Sequence, residues 1–177
     1  MSRDVRTGHL RGPDVPVDDR AVPESGDGSR RVATFVVNSL AAKAQSVAEI
    51  EAKLASRGVA ADEAAAVIGE ALRLGYLDDT ELAGQLARGF VARGYGRRRA
   101  VMALRRRGLA AATTEAALES AYGSTDEVAL ARCALGMRSV EDDASRRRAV
   151  AFLCRRGFSA GAAWDAVRRA GASTEEP

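Results

Sequence analysis

Apolar residues recur at intervals of three and four along most of the chain, and strict alternation is nearly absent. That spacing predicts helices rather than strands. Val32, Phe35, Val36, Ser39 and Leu40 mark a first helix that starts near Arg31. Ser46-Val-Ala-Glu49 has the capping-box pattern, in which Ser46 accepts from the Glu49 backbone and Glu49 reaches back. A second helix runs from there to Arg57, with Ile50 and Leu54 on one face. A third is predicted over residues 61–74, through Ala64, Val67, Ile68 and Leu72, and Gly75 closes it. Asp78 or Asp79 caps a fourth, which turns Leu82, Leu86 and Phe90 inward. Gly94-Tyr95-Gly96 breaks the chain before a fifth at 97–107, with Val101 and Leu104 buried. A sixth covers 113–122. Ser124-Thr-Asp-Glu127 reads as another capping box, opening a seventh helix through Val128, Leu130 and Leu135. An eighth spans 144–156, and a ninth spans 160–169 with Trp164 and Val167 inside. The one β-branched run, Thr34 to Val37, does not alternate with polar residues. The fold class is all-α.

Three segments share one pattern: Leu54-Ala-Ser-Arg57-Gly58-Val59, Leu104-Arg-Arg-Arg107-Gly108-Leu109 and Leu153-Cys-Arg-Arg156-Gly157-Phe158. Their glycines lie 50 and 49 residues apart. Each segment reads as a helix end. Glycine takes the left-handed conformation just past the last turn. Arginine complements the negative end of the helix dipole. Ile68, Leu118 and Val167 each follow their glycine by ten residues, where the next helix would bury them. The nine helices therefore form three tandem three-helix repeats, at 31–75, 76–123 and 124–170. Single units of this size are marginal alone, so stacking into an elongated, curved body is expected. Residues 1–30 hold three of the four prolines and no apolar period, and read as a disordered tail. Residues 171–177 read as a mobile end.

Composition narrows the core and the chemistry. Hydrophobic residues make up 46% of the chain but aromatics only 5%, so Ala, Leu and Val must fill closely packed helices. Cys133 and Cys154 fall within predicted helices and read as small buried residues, which suits a cytoplasmic protein. No apolar run is long enough for a bilayer, and no membrane association is expected. His9, the only histidine, lies in the tail. The sequence has no phosphate loop, no histidine-containing triad and no zinc-ligand set, so neither an enzyme nor a metal or cofactor is expected.

Net charge is only +3, but it is unevenly spread. Residues 32–87 carry −4, residues 88–109 carry +8 with no acid among them, residues 110–144 carry −5, and residues 145–177 carry +4. Arg97, Arg98, Arg99, Arg105, Arg106 and Arg107 crowd one short helix, and Arg88 and Arg93 widen that patch. Arg146, Arg147, Arg148, Arg155 and Arg156 repeat the motif one unit on. Planar guanidiniums suit acidic protein or phosphate, so these residues are the candidate contact surface. Pairing with the neighbouring acidic blocks is the alternative. Tyr76 and Leu77 read as turn and core, and Asp78 and Asp79 as helix-start residues rather than metal ligands. Tyr95 reads chiefly as turn packing, with stacking on a base as the alternative.

Gly75-Tyr-Leu-Asp-Asp79 with Leu82-Ala83, then Gly96-Arg-Arg, then Leu104-x-x-Arg-Gly-Leu109, resembles the central signature of the RecX regulatory proteins. Ser46-x-x-Glu-Ile-x-x-Lys-Leu-x-x-Arg-Gly58 is similar to that family's first unit, and Arg147 through Phe158 to its last. The resemblance covers about residues 32–170. It implies a non-enzymatic, three-helix-repeat protein that binds the RecA filament on single-stranded DNA. Such a protein lowers filament extension, ATP hydrolysis, strand exchange and co-protease activity, and so modulates recombination, repair and the SOS response. Direct binding of single- or double-stranded DNA through the arginine-rich helices is the rival reading, and a general helical adaptor is a third. A monomer is expected.

Overall fold

The computed structural model describes residues 25–172, and among them it has nine α-helices and no strand. They are α1 (Ser25–Ala42), α2 (Val47–Ala55), α3 (Ala61–Arg73), α4 (Asp79–Ala92), α5 (Arg97–Arg106), α6 (Ala111–Tyr122), α7 (Glu127–Leu135), α8 (Asp143–Arg155) and α9 (Ala160–Ala172). The helix α1 starts six residues before the expected Arg31, with Asp27 in its first turn paired to Arg31 one turn on. The favourable charge at the helix start carries the helix into a segment that composition alone assigns to the tail. The remainder of the expected N-terminal tail, with His9, and residues 173–177 lie outside the described residues.

The helices pack in threes. In the first group α3 lies against α1 and α2, in the second α6 lies against α4 and α5, and in the third α9 lies against α7 and α8. Each group has its own apolar interior. Val36, Ile50, Leu54 and Ile68 fill the first, Leu82, Leu104, Leu109 and Leu118 lie within the second, and Ala131, Leu153, Phe158 and Val167 within the third. The repeated helix end is the same in all three. Gly58, Gly108 and Gly157 have φ of 72°, 75° and 96°. The next amide returns to the leucine carbonyl: Val59 to Leu54 at 3.2 Å, Leu109 to Leu104 at 3.4 Å and Phe158 to Leu153 at 3.2 Å. This 6→1 bond satisfies a helix-end carbonyl and brings the following apolar residue back toward the core.

The helix starts follow local rules with two shifts. Ser46 and Glu49 form the capping box expected for α2. Asp126, not Ser124, caps α7 by accepting from Val128 and Ala129. The carboxylate two residues closer wins because it reaches both free amides at the helix start. Asp78 caps α4 through Thr80 and Glu81, whereas Asp79 accepts from Val47 at the start of α2, 3.0 Å away. The paired acids thus serve two different helices.

Four residues expected inside lie on the surface. Trp164 is 44% exposed, because α9 packs through Ala162, Ala163, Ala166 and Val167 and leaves position 164 beside that stripe. Leu72 is exposed for the same reason, one position past Ala71 on α3. Cys133 and Cys154 are exposed free thiols on α7 and α8. For Trp164, Leu72 and Cys154 the preceding residue fills the buried position, and Cys133 lies midway between the buried Ala131 and Leu135. Rotation of about 100° per residue then carries the next side chain out of the interface.

Candidate functional site

The middle helices of the second and third groups, α5 and α8, meet end to end. The C-terminal turn of α8 supplies carbonyls to the free amides that start α5. Gly96 donates to Arg156 at 3.0 Å and Arg98 donates to Gly157 at 3.2 Å. No side chain caps α5, and none is needed where backbone carbonyls do that work. A Cβ at Gly96 would overlap the backbone of Gly157. The α5–α2 junction uses a side chain instead. There the Ser46 hydroxyl donates to the Arg107 carbonyl at 2.5 Å.

At both junctions the last arginine of the repeated motif reaches back into the preceding group. Arg107 donates to the Ala44 carbonyl at 2.8 Å and pairs with both carboxylate oxygens of Glu49, at 3.0 and 2.5 Å. Arg156 donates to the carbonyls of Gly94 at 3.0 Å and Arg93 at 2.5 Å. Its guanidinium also lies over the Tyr95 ring, 4.4 Å from the centroid. Arg99 covers Tyr95 as well, at 4.7 Å, and Phe90 meets it edge-on. Turn packing therefore accounts for Tyr95, and its surroundings leave no open platform for a base. The Glu49 carboxyl is held below its usual range, first by the Arg107 hydrogen bond, with burial opposing and the Ser46 amide and nearby cations assisting. Tyr122 donates to the Tyr95 carbonyl at 2.9 Å, and burial pushes its phenol up to about 12.

The other arginines divide by their partners. Arg97 pairs with Glu115, and Arg88 with Glu81 at 3.2 Å. Arg146 donates to the Val140 carbonyl at 2.9 Å and lies 3.5 Å from Asp143. Among the described residues, Arg98, Arg99, Arg105, Arg106, Arg147, Arg148 and Arg155 are exposed with no ion pair to a carboxylate. Acidic blocks distant in sequence thus neutralise Arg97 and Arg107, while a set of cations on α5 and α8 stays open.

Five of the sequence-derived candidates come together. Arg93, Arg98, Arg99, Arg106 and Arg155 line a groove of about 740 Å³ between the end of α4, α5 and the end of α8. Phe90, Met102 and Cys154 also line it, and no carboxylate does. Arg155 is shared with a neighbouring depression of about 490 Å³ that includes Arg148 and Arg138. Arg88, Arg97, Arg105, Arg107, Arg146, Arg147 and Arg156 line neither. Sequence reasoning did not name Arg138, Met102 or Cys154 as contact residues, and it read Cys154 as buried. Met102 carried a usable signal, since it falls midway between Arg98 and Arg106 at four-residue spacing. Arg138 had none, because the helix partner Phe152, 3.9 Å from its guanidinium, is set by tertiary packing.

No group of acids, histidines and cysteines suited to a metal occurs among the described residues. No helix among them is long and apolar enough to cross a membrane. Residues 78–118, which carry α4, α5 and most of α6, match the family model "RecX, second three-helix domain". The resemblance to the RecX family holds. The fold agrees with it over a longer stretch. The crystal structure of RecX from Lactobacillus salivarius superposes with a TM-score of 0.72 at 17% identity, covering 84% of this chain and 99% of that one. A crystal structure titled regulatory protein RecX gives 0.70 at 14% identity, covering 91% and 81%. Comparison with curated proteins finds no match. The all-α reading and the RecX-type arrangement are thus both present in this chain.

Proposed function

We propose that the protein regulates the RecA recombinase, binding its filament on single-stranded DNA and lowering filament extension, ATP hydrolysis, strand exchange and co-protease activity. The observation that carries this reading is the RecX domain match at 78–118, which falls on the helices that build the basic groove. Exposed guanidiniums without carboxylate partners are suited to acidic protein surfaces and to phosphate, and a nucleoprotein filament offers both. The groove draws on two helix groups held in line by Arg156, so a bound partner would engage α5 and α8 together. The surface then acts as one rigid contact rather than two independent ones. The protein supplies binding and no chemistry.

A second reading has the same arginines bind DNA directly, and the carboxylate-free lining favours it as well. The two separate in the RecA single-strand-dependent ATPase, measured with substoichiometric protein at two salt concentrations. Filament regulation expects inhibition at amounts too small to cover the DNA. Direct DNA binding expects inhibition only near saturation, with the logarithm of affinity for the single strand falling by about 0.7 per phosphate contact for each decade of salt. Folded protein with no effect at either salt sinks both.

A further inference from the structure

On α5, Arg98, Met102 and Arg106 follow one another at four-residue steps, so they share one helix face about 6 Å apart. All three line the groove. Met102 is 66% exposed, so its apolar side chain is open to a partner between the two cations. On α8, Arg147, Ala151 and Arg155 repeat the same cation–apolar–cation spacing, and all three are exposed. The corresponding positions of α2 are Ala48, Ala52 and Ser56, so the pattern belongs to the second and third groups alone.

We infer that this groove holds an acidic peptide segment in which an apolar side chain lies between two carboxylates. In an extended segment, alternate side chains on one face lie nearly 7 Å apart, about one such step of the helix. Two carboxylates would then meet Arg98 and Arg106 while the apolar residue between them covers Met102. Arginine forks match carboxylates bidentately, and the flexible thioether adapts to varied apolar partners. A phosphodiester chain fits less well. It carries a charge at every residue, so the middle phosphate would face the methionine. Its bases would find no ring to stack on, since guanidiniums lie over Tyr95 from both Arg99 and Arg156, and Arg93 lies over Phe90.

The inference deepens the proposed filament contact and rests on it for the identity of the partner. Fluorescence anisotropy tests it on the full chain with three labelled probes. They are a peptide with two Glu-Ser-Leu-Ser-Glu stretches, the same peptide with Ser for each Leu, and a thymidine oligonucleotide of equal charge. The leucine peptide is expected to bind about tenfold tighter than the serine peptide, as partial burial of one leucine implies. Met102→Lys, an exposed change between two good helix formers, is expected to erase that difference and to strengthen the oligonucleotide. Equal binding of the two peptides, or binding of neither, overturns the inference, as does a Met102→Lys protein that keeps the tenfold preference. RecA is absent from this assay, so the outcomes separate. ATPase inhibition without peptide selectivity sinks the inference alone. Peptide selectivity without ATPase inhibition sinks the RecA reading alone.

Discussion

The repeated motif ends on an arginine that looks, in the sequence, like one more surface cation. Arg107 instead spends its charge on Glu49 and the Ala44 carbonyl, where both side chains are partly covered. Truncating it leaves a partly buried carboxylate without its donor, so Arg107→Ala is expected to cost about 1–3 kcal/mol in urea denaturation. Arg106→Ala, with no carboxylate partner, should stay within about 0.5 kcal/mol. The same contact sets an acid limit. The folded-state pKa of Glu49 is depressed, so its stabilising contribution is present above the unfolded value of 4.5 and is lost as pH falls through the lower folded value. The gap in urea midpoint between the wild-type protein and Glu49→Gln should accordingly close as pH drops below about 4.5. Tyr122 behaves in the opposite sense. Its pKa is raised to about 12, so what it contributes is present below the unfolded value of 10.0 and fades as pH rises toward 12. A phenolate absorbance titration should find one tyrosine that ionises only near pH 12, and Tyr122→Phe should remove that step.

The decisive element contact is the end-to-end meeting of α8 and α5. Backbone carbonyls of one helix end satisfy amides at the next helix start, which demands an approach that only glycine at 96 permits. Gly96→Ala is therefore expected to force the two ends apart and to unfold at a lower urea concentration than Gly58→Ala. Gly58 has a positive φ but open space around it, so its replacement costs about 1 kcal/mol from backbone strain alone. If the two variants unfold together, the close contact is not a source of stability. The groove residues Arg106 and Arg155 should remain exposed in both variants. A Gly96→Ala protein that loses partner binding while keeping its helicity by circular dichroism would tie the groove to the junction rather than to either helix alone.

At the scale of the whole molecule, helix packing lies within the three groups, while the junctions are held by helix ends and two arginine clamps. Removing both clamps with Arg107→Ala and Arg156→Ala should raise the radius of gyration in small-angle scattering, with far-UV circular dichroism nearly unchanged. An unaltered scattering curve would mean that the remaining backbone contacts suffice. Much of this architecture was legible beforehand, because helices and their ends are decided by neighbours in sequence. The three- and four-residue period, the Ser46–Glu49 capping box and the glycine-terminated motif all act within a few residues, and they determined the nine helices of the described residues and their grouping in threes. What the sequence could not decide was the fate of each side chain facing another group. Arg106 and Arg107 are adjacent and chemically identical, yet one lines an open groove and the other is a clamp. Trp164 and Cys154 fall on plausible apolar positions, yet neighbours closer to the packing stripe occupy the interior. Only the tertiary structure settles such choices, because they depend on which distant backbone carbonyl, carboxylate or helix face arrives at that point in space.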